Sequence, residues 1–236
     1  MALADNLIAY WKLEEASGTR NDSHSNALHL TDNNTVTQAT GKQGNAADFE
    51  ASNGEYLSRV DSATLSMGDI DFTVLLWVNA ESLGSNYVIG QYGGAGARSW
   101  EIQHTGSRFH FFVSNDGTVT NWVTANNLGA PSTATWYLII AWHDAAANTI
   151  NIQVNNGTVD SGGHTTGVFN SAEDFRIGTA EVGGPFWDGL IDEVAIWKRV
   201  LTSDERTQLY NGGSGMTYPF PVTEFASKLA LLGVGA

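Results

Sequence analysis

Residues 72–78 read Phe-Thr-Val-Leu-Leu-Trp-Val, and residues 136–142 read Trp-Tyr-Leu-Ile-Ile-Ala-Trp. Both segments are rich in β-branched and aromatic residues, which favours β-strands. A strand with one solvated face alternates apolar and polar residues, and neither segment does so. In the second segment we expect Ile139 and Ala141 to face the core. The residues on the other side then form a second apolar face: Trp136, Leu138, Ile140 and Trp142.

This second apolar face requires a cover, because large exposed apolar patches are rare on soluble proteins. A loop of the same chain is one candidate for the cover, and another chain is the alternative. We expect the four residues to lie in an interface between subunits, which predicts a homo-oligomer or an assembly with other proteins.

Further strand signals recur at short intervals on both sides of these two segments. They cover residues 7–13, 55–60, 87–91, 99–104, 108–114, 119–124, 149–154, 174–178 and 189–197. One short helix is predicted over 202–210, because Thr202 and Glu205 have the spacing of a capping box and glycines follow. Many strands and one helix predict an all-β antiparallel sandwich.

The composition excludes several functions. The 236-residue chain carries 25 acidic and 11 basic residues, a net charge of −14, which would repel a nucleic-acid backbone. The absence of cysteine excludes disulfides and thiolate metal sites. No apolar run approaches the ~20 residues of a membrane-spanning helix. The N-terminus lacks a basic region followed by an apolar stretch, so no Sec signal is predicted and assembly in the cytoplasm, possibly into a virion, is expected.

Several short motifs follow one another along the chain. They are Leu-Ile-Ala-Tyr-Trp-Lys-Leu-Glu-Glu at 7–15, Asn-Asp-Ser-His-Ser-Asn at 21–26, Gly-Lys-Gln-Gly-Asn-Ala-Ala-Asp-Phe at 41–49, Asp-Phe-Thr-Val-Leu-Leu-Trp-Val at 71–78, Trp-Tyr-Leu-Ile-Ile-Ala at 136–141 and Phe-Trp-Asp-Gly-Leu-Ile-Asp-Glu-Val at 186–194. In this order they resemble the laminin-G-like jelly-roll domains of the concanavalin A-like lectin/glucanase superfamily. The resemblance covers residues 7–210 and implies a two-sheet jelly roll.

The resemblance also implies a calcium site between the early loop and the closing strand. The matching residues are Asp22 and Asp192, with Asn26 as a further oxygen ligand. Calcium takes six to eight oxygens, including backbone carbonyls, so two or three side chains can suffice. The alternative is that Asp22 organises a turn and Asp192 ends a strand by hydrogen bonding.

Catalysis is not expected. Glucanases of this fold use a Glu-x-Asp-x-x-Glu strand, which places paired carboxylates on one face, and no such string occurs. The six histidines show no paired zinc spacing, and no Gly-x-Ser-x-Gly motif is present. A degenerate glycosidase is the least favoured reading.

Two binding functions stay open. The first is a structural or assembly protein, because laminin-G-like domains without signal peptides resemble phage virion components such as capsid decorations and fibres. The second is a carbohydrate-binding module, in which rim loops and an aromatic platform bind glycans. The platform candidates are Tyr92, Trp122 and Trp187, and Trp122 shares its parity with Phe112 and His110 on neighbouring strands.

The resemblance ends before the last part of the chain. We expect residues 1–215 to form the jelly-roll domain and 216–236 to form an apolar tail. Phe225, Leu229 and Leu232 fall at helical spacing, so the tail is predicted to dock on its own domain or on a partner. Within the domain, large aromatics are expected to be buried anchors: Trp11, Phe49, Phe72, Trp77 and Trp197.

Overall fold

Two antiparallel sheets stack face to face in the computed structural model, which describes residues 2–221. The strands are β1 (Leu7–Trp11), β2 (Thr31–Asn33), β3 (Thr37–Thr40), β4 (Asn45–Phe49), β5 (Tyr56–Arg59), β6 (Phe72–Ala80), β7 (Asn86–Gln91), β8 (Trp100–Thr105), β9 (Arg108–Ser114), β10 (Thr120–Thr124), β11 (Trp136–Asp144), β12 (Thr149–Val154), β13 (Asp160–Gly163), β14 (Phe175–Ile177) and β15 (Gly189–Trp197). Helix α1 (Ser203–Tyr210) follows, and short 3₁₀ turns lie at Ala51–Asn53 and Asn211–Gly213. The predicted all-β jelly-roll sandwich with one short helix is confirmed.

The strand order places the longest strands at the centre of one sheet. The eight-stranded sheet runs β13-β12-β11-β6-β15-β4-β3, and β1 also pairs with β15. The seven-stranded sheet runs β10-β9-β8-β7-β14-β5-β2. Strands β10 and β13 are the edges of their sheets, and they face each other at one side of the sandwich.

The main core lies between the two sheets. Ile139 and Ala141 of β11 face it, as their alternation predicts, and Trp11, Phe49 and Phe72 are completely buried there. The other two predicted anchors, Trp77 and Trp197, are also buried, but they lie in a second cluster on the outer face of the eight-stranded sheet. This sheet is therefore apolar on both faces.

The second apolar face is covered by the protein's own chain. Leu138, Ile140 and Trp142 are only 1%, 2% and 6% exposed. Helix α1 covers part of the face: its Arg206 guanidinium lies 4.4 Å from the centre of the Trp142 ring, and Tyr210 stacks on Trp77 at 6.0 Å. The prediction that Leu138, Ile140 and Trp142 contact another subunit is therefore wrong.

Trp136, the fourth residue of the predicted interface, is partly exposed and packs at the margin of the same cluster. It therefore offers no separate apolar face to a partner. The remaining three residues of that prediction, Phe225, Leu229 and Leu232, lie outside the described residues.

The first residues of the predicted tail complete this cover. Met216, Tyr218 and Phe220 pack against the second cluster, and Phe220 stacks on Trp197 with ring centres 6.2 Å apart. Tyr218 lies 5.5 Å from Tyr10. The sandwich thus continues past residue 215 through these contacts.

Helix α1 begins as its sequence predicts. The Thr202 side chain accepts a hydrogen bond from the Glu205 amide, and Glu205 accepts one from the Thr202 amide, which completes the capping box. The Arg199 guanidinium also donates to both Glu205 oxygens at 2.7 and 2.8 Å, so the helix start is anchored to the end of β15. No helix within residues 2–221 is long and apolar enough to span a membrane.

The cover can be tested with Ile140→Ala, which should lower the free energy of unfolding by about 2–5 kcal/mol because it opens a cavity under the chain's own cover. Val60 is 74% exposed and provides the control, because Val60→Ala should change the free energy of unfolding by less than ~0.5 kcal/mol. Urea unfolding monitored by tryptophan fluorescence measures both. A near-neutral effect of Ile140→Ala would mean that the face is open in solution.

Candidate functional site

The outer face of the seven-stranded sheet is open at its β9–β10 end, where Trp122 is 57% exposed, and is covered nearer its middle, where Glu101 and Arg176 are 2% and 3% exposed. Strand register places one row of residues across it, perpendicular to the strands, because alternate residues point to the same face. The row runs Trp122, Phe112, Glu101, Gly90 and Arg176 on strands β10, β9, β8, β7 and β14. Their neighbours along the strands, such as Phe111 and Ile102, point into the core.

An aromatic platform, defined as Trp122, Phe112 and His110, occupies one end of this face. Trp122 is 57% exposed and stacks on Phe112, with ring centres 5.8 Å apart and planes at 27°. His110 lies 5.7 Å from Phe112 on the other side. The exposed ring of Trp122 is therefore supported from behind by a second ring, which fixes its orientation.

Polar side chains form a second row beside the platform. Thr124, His110, Gln103 and Tyr87 lie opposite one another on strands β10, β9, β8 and β7. Thr124 Oγ1 and His110 Nδ1 are 3.0 Å apart, within hydrogen-bond distance. An apolar ring flanked by hydroxyl, amide and imidazole groups is the surface that suits a ligand with one apolar face and a polar edge.

Glu101 is a buried acid in the middle of the first row. It is 2% exposed, and its Oε2 atom has no hydrogen-bond partner. Burial and, to a smaller extent, the nearby Glu181 raise the pKa of Glu101 to about 8, although Arg98 acts in the opposite direction. At neutral pH most of this carboxyl group is therefore protonated.

The neighbours of Glu101 explain its burial. Gly90 lies beside it, and a Cβ at this position would come within 2.8 Å of the Glu101 Cβ. Burial, with the nearby Glu101 as the second cause, raises the pKa of Tyr87 to about 12, and the same two causes raise the pKa of Tyr92. Arg98 lies over the Tyr92 ring at 5.5 Å.

Two rim loops are tied together at the end of these strands. The Gly96 amide donates to the Gly117 carbonyl at 2.7 Å, and Arg98 Nη1 donates to the Thr118 carbonyl at the same distance. Asp116 accepts from the amides of Thr118 and Val119, which lowers its pKa to about 2. The loops over 93–98 and 115–119 thus form one rigid rim next to the platform.

The three predicted platform residues have different surroundings. Trp122 lies on the open face. Tyr92 is only 7% exposed, so it borders the site and does not present a ring face to solvent. Trp187 is completely buried in the inter-sheet core, so its prediction as a ligand platform is corrected. Exposure of these residues depends on strand pairing between distant segments, which sequence spacing does not reveal.

The residues predicted to bind calcium differ in how many of their side-chain atoms already take part in hydrogen bonds. Asp22 Oδ1 accepts from the amides of Tyr10 and His24, and its Oδ2 accepts from the Leu28 amide, at 2.8–2.9 Å. Asp22 therefore organises its own loop, as the alternative reading of the sequence states. The Asn26 Nδ2 atom donates to the Ile8 carbonyl.

Asp192 keeps one oxygen free. Its Oδ2 accepts from the amides of Lys42 and Gln43, whereas its buried Oδ1 has no partner. Among residues 2–221 no group of three or more histidine, aspartate or glutamate side chains is placed to hold a metal ion. The set implied by the resemblance has two aspartates and an asparagine, so calcium binding by Asp22, Asn26 and Asp192 stays a prediction.

The buried carboxyl group of Glu101 leads to a prediction about how stability depends on pH. A pKa raised on folding means that Glu101 supports the fold below its unfolded pKa of about 4.5 and that this support is lost as pH rises through about 8. Glu101→Gln should therefore increase the free energy of unfolding relative to the parent protein by at least about 1 kcal/mol at pH 9, and by much less at pH 5.

Thermal unfolding at pH 5, 7 and 9 measures this difference. Asp204→Asn is the matched control, because Asp204 is an exposed carboxylate on helix α1, and its effect should not change across this range. An equal effect of Glu101→Gln at all three pH values would contradict the burial of an ionisable acid here.

A family model described as the concanavalin A-like lectin/glucanases superfamily, of the laminin-G type, matches residues 51–205. No curated protein matches the chain in sequence. Solved structures do resemble it. The binding domain of Paraclostridial Mosquitocidal Protein 1 has a TM-score of 0.74 and 16% identity over 90% of this chain and 53% of its own.

Two further structures share this architecture. Domain 4 of AbnA, an extracellular arabinanase from Geobacillus stearothermophilus solved with arabinotriose, has a TM-score of 0.65 and 21% identity, over 86% of this chain and 97% of its own. The binding domain of botulinum neurotoxin serotype G has a TM-score of 0.67 and 16% identity, over 87% of this chain and 50% of its own.

The chain spans about half the length of the two toxin binding domains. At these identities the likeness concerns the fold alone. The family model, in contrast, matches well over half of the sequence, and the matched residues include strands β5 to β15. The chain therefore belongs to the concanavalin A-like lectin/glucanases superfamily.

Proposed function

We propose that this protein is a non-catalytic carbohydrate-binding module whose site is the outer face of the seven-stranded sheet, centred on the aromatic platform. The observation that carries the proposal is Trp122, a tryptophan that is 57% exposed and yet held by stacking on Phe112. Sugar rings have an apolar face of C–H groups and a polar edge, so they suit a fixed aromatic ring with hydrogen-bonding neighbours.

The relatives of known fold support the same class of function. One is a domain of an arabinanase solved with arabinotriose, and others are binding domains of toxins, some with a carbohydrate or a protein receptor in the solved complex. A glycan or a glycosylated receptor is therefore the favoured partner.

The arrangement of carboxylates favours binding over hydrolysis. Glycosidases of the usual kind need two carboxyl groups on either side of the scissile bond. On β8, the next outward residue after Glu101 is Gln103, so the strand does not present the alternating pair that glucanases of this fold use.

The assembly hypothesis was based on an uncovered second apolar face. That face is buried under α1 and residues 216–220, so it no longer supports the hypothesis. A role in a phage virion has no support from the fold relatives. Association with further copies stays a prediction, and a solution mass by light scattering tests it.

The platform is tested by a glycan array that includes arabino-, xylo-, gluco- and galacto-oligosaccharides. Trp122→Ala should reduce affinity for the bound glycan at least about thirtyfold, which corresponds to a buried aromatic hot spot of ~2 kcal/mol. Val60→Ala is the control, because Val60 is 74% exposed and lies outside the platform and the rim loops, so it should have little effect.

Equal binding by the parent protein and Trp122→Ala would move the site away from the platform. Absence of binding to any glycan on the array, with an intact fold, would contradict the proposed function itself.

Calcium is tested separately. If the free Oδ1 of Asp192 ligates calcium, the ion at about 100 times its Kd should stabilise the fold by about 2.7 kcal/mol and raise Tm by several degrees. Asp192→Asn should lose this response. Identical melting curves in calcium and in chelator would remove the site.

A further inference from the structure

We propose that the site extends beyond the platform into an edge trough, and that the trough makes the domain selective for an internal stretch of an uncharged polysaccharide chain. The inference rests on the proposed function and names its ligand class. The edge trough is defined as two shallow depressions that meet at Asp160, where the edge strand β10 faces the edge strand β13.

The first depression begins at the platform. Its volume is about 250 Å³, and the residues that line it are Trp122, Val123, Thr124, Asn126, Asp160, Ser161 and Gly162. Trp122 and Thr124 therefore belong both to the outer face and to the trough. A ligand that stacks on Trp122 can continue over the sheet edge without leaving the protein surface.

The second depression continues the path on the other side of Asp160. Its volume is about 190 Å³, and Leu128, Val154, Asn155, Gly157 and Thr158 contribute to its lining. Each depression alone is smaller than the usual ~300–1,000 Å³ of a ligand pocket, and the two together fall within that range. The site is thus long and shallow, which suits a chain and not a single captured ring.

Asp160 is held in place at the junction of the two depressions. Its Oδ2 accepts from the Asn127 amide at 3.0 Å and its Oδ1 accepts from Asn127 Nδ2 at 2.8 Å. Each carboxylate oxygen can accept a further hydrogen bond, because it has more than one lone pair. A carboxylate fixed in this way is a preorganised acceptor for the hydroxyl groups of a sugar.

The charges of the trough determine which polymers it can accept. Asp160 is its single charged residue, since neither lysine nor arginine lines either depression, and the whole chain has a net charge of −14. Sulfated or uronic polymers would meet repulsion without a cation to pair with. Uncharged polymers offer hydroxyl donors to Asp160 at no such cost.

The shape also distinguishes an internal stretch from a chain end. The trough opens onto the platform at Trp122, which is more than half exposed. Strands in the sheet lie ~4.8 Å apart, so the polar row from Thr124 to Tyr87 spans roughly 14 Å beyond the trough. A bound chain can therefore continue from the trough onto the outer face of the sheet, which is what an internal stretch of a polymer requires.

Calorimetry with neutral arabino-, xylo-, cello- and galacto-oligosaccharides of two to six units tests the inference. For the series that binds, affinity should rise at least about tenfold between two and five units and should not change when the reducing end is blocked. Asp160→Asn should remove about tenfold in affinity for the long oligosaccharide and leave the disaccharide unchanged, because the lost contact involves a charged acceptor.

Thr40→Ala is the control, because Thr40 is exposed on β3 at the opposite edge of the eight-stranded sheet from β13, and Tm of each variant verifies folding. A disaccharide that binds as tightly as the longest oligosaccharide, or an Asp160→Asn variant with unchanged length dependence, would overturn the trough. Stronger binding of sulfated or uronic oligosaccharides would overturn the charge argument. In each case the Trp122-dependent binding persists, whereas failure of every glycan to bind is failure of the proposed function.

Discussion

The apolar character of both faces of the eight-stranded sheet is the constraint on which the arrangement of the molecule depends. Burial of each large aliphatic or aromatic side chain contributes about 1.5–3 kcal/mol, so an uncovered outer face with Leu75, Trp77, Leu138 and Ile140 would be costly. The chain meets this constraint with helix α1 and residues 216–220, which follow β15 directly and pack back on the sheet. One sheet is thereby buried on both sides, whereas the seven-stranded sheet keeps an open outer face at its β9–β10 end. The location of the candidate site follows from which sheet the chain covers.

A β-bulge in β15 holds this cover in place. Asp192 and Glu193 are neighbours, and in a regular strand they would point to opposite faces. The register of β15 against β6 shifts here, and Glu193 adopts a positive φ of 52°, which is uncommon for a residue with a Cβ. Asp192 accepts from the turn after β3, and Glu193 accepts from the Tyr10 hydroxyl, which also donates to the Met216 carbonyl. Burial raises the pKa of Asp192 to about 8 and that of Glu193 to about 7, so both carboxyl groups are at least partly protonated at neutral pH. The bulge thus links the first strand, the β3–β4 turn and the C-terminal cover.

The sequence predicts those structural features that depend on a single short segment of the chain. The capping box of α1 and the inward alternation of Ile139 and Ala141 are of this kind. The polar strands β3 and β13 were not predicted, because Thr-Gln-Ala-Thr and Asp-Ser-Gly-Gly carry no apolar period and form strands only through pairing. Two other features depend on packing between segments that are far apart in sequence. One is the cover of the outer face of β11, which could be its own chain or another chain. The other is the exposure of Trp122 and the burial of Trp187. The platform was partly predictable, because the alternation along β9 and β10 places Trp122, Phe112 and His110 on the same face. Glu101 and Asp160 belong to no local sequence pattern that indicates a binding site.

The edge between β10 and β13 shows why the site forms where it does. An edge strand exposes unpaired backbone groups and invites association with other chains. Here the edges of the two sheets face each other, and Gly162 lies close enough to the Trp122 carbonyl that an added Cβ would be 3.5 Å away. A Cβ at that distance would make an ordinary van der Waals contact, so the closeness of the two edges does not depend on the glycine. Their contact protects both edges from other chains. Strands β10 and β13 belong to different sheets and do not pair with each other, and shallow depressions lie on either side of Asp160. The same geometry that closes the sandwich therefore leaves a polar trough beside the most exposed aromatic ring of the described chain.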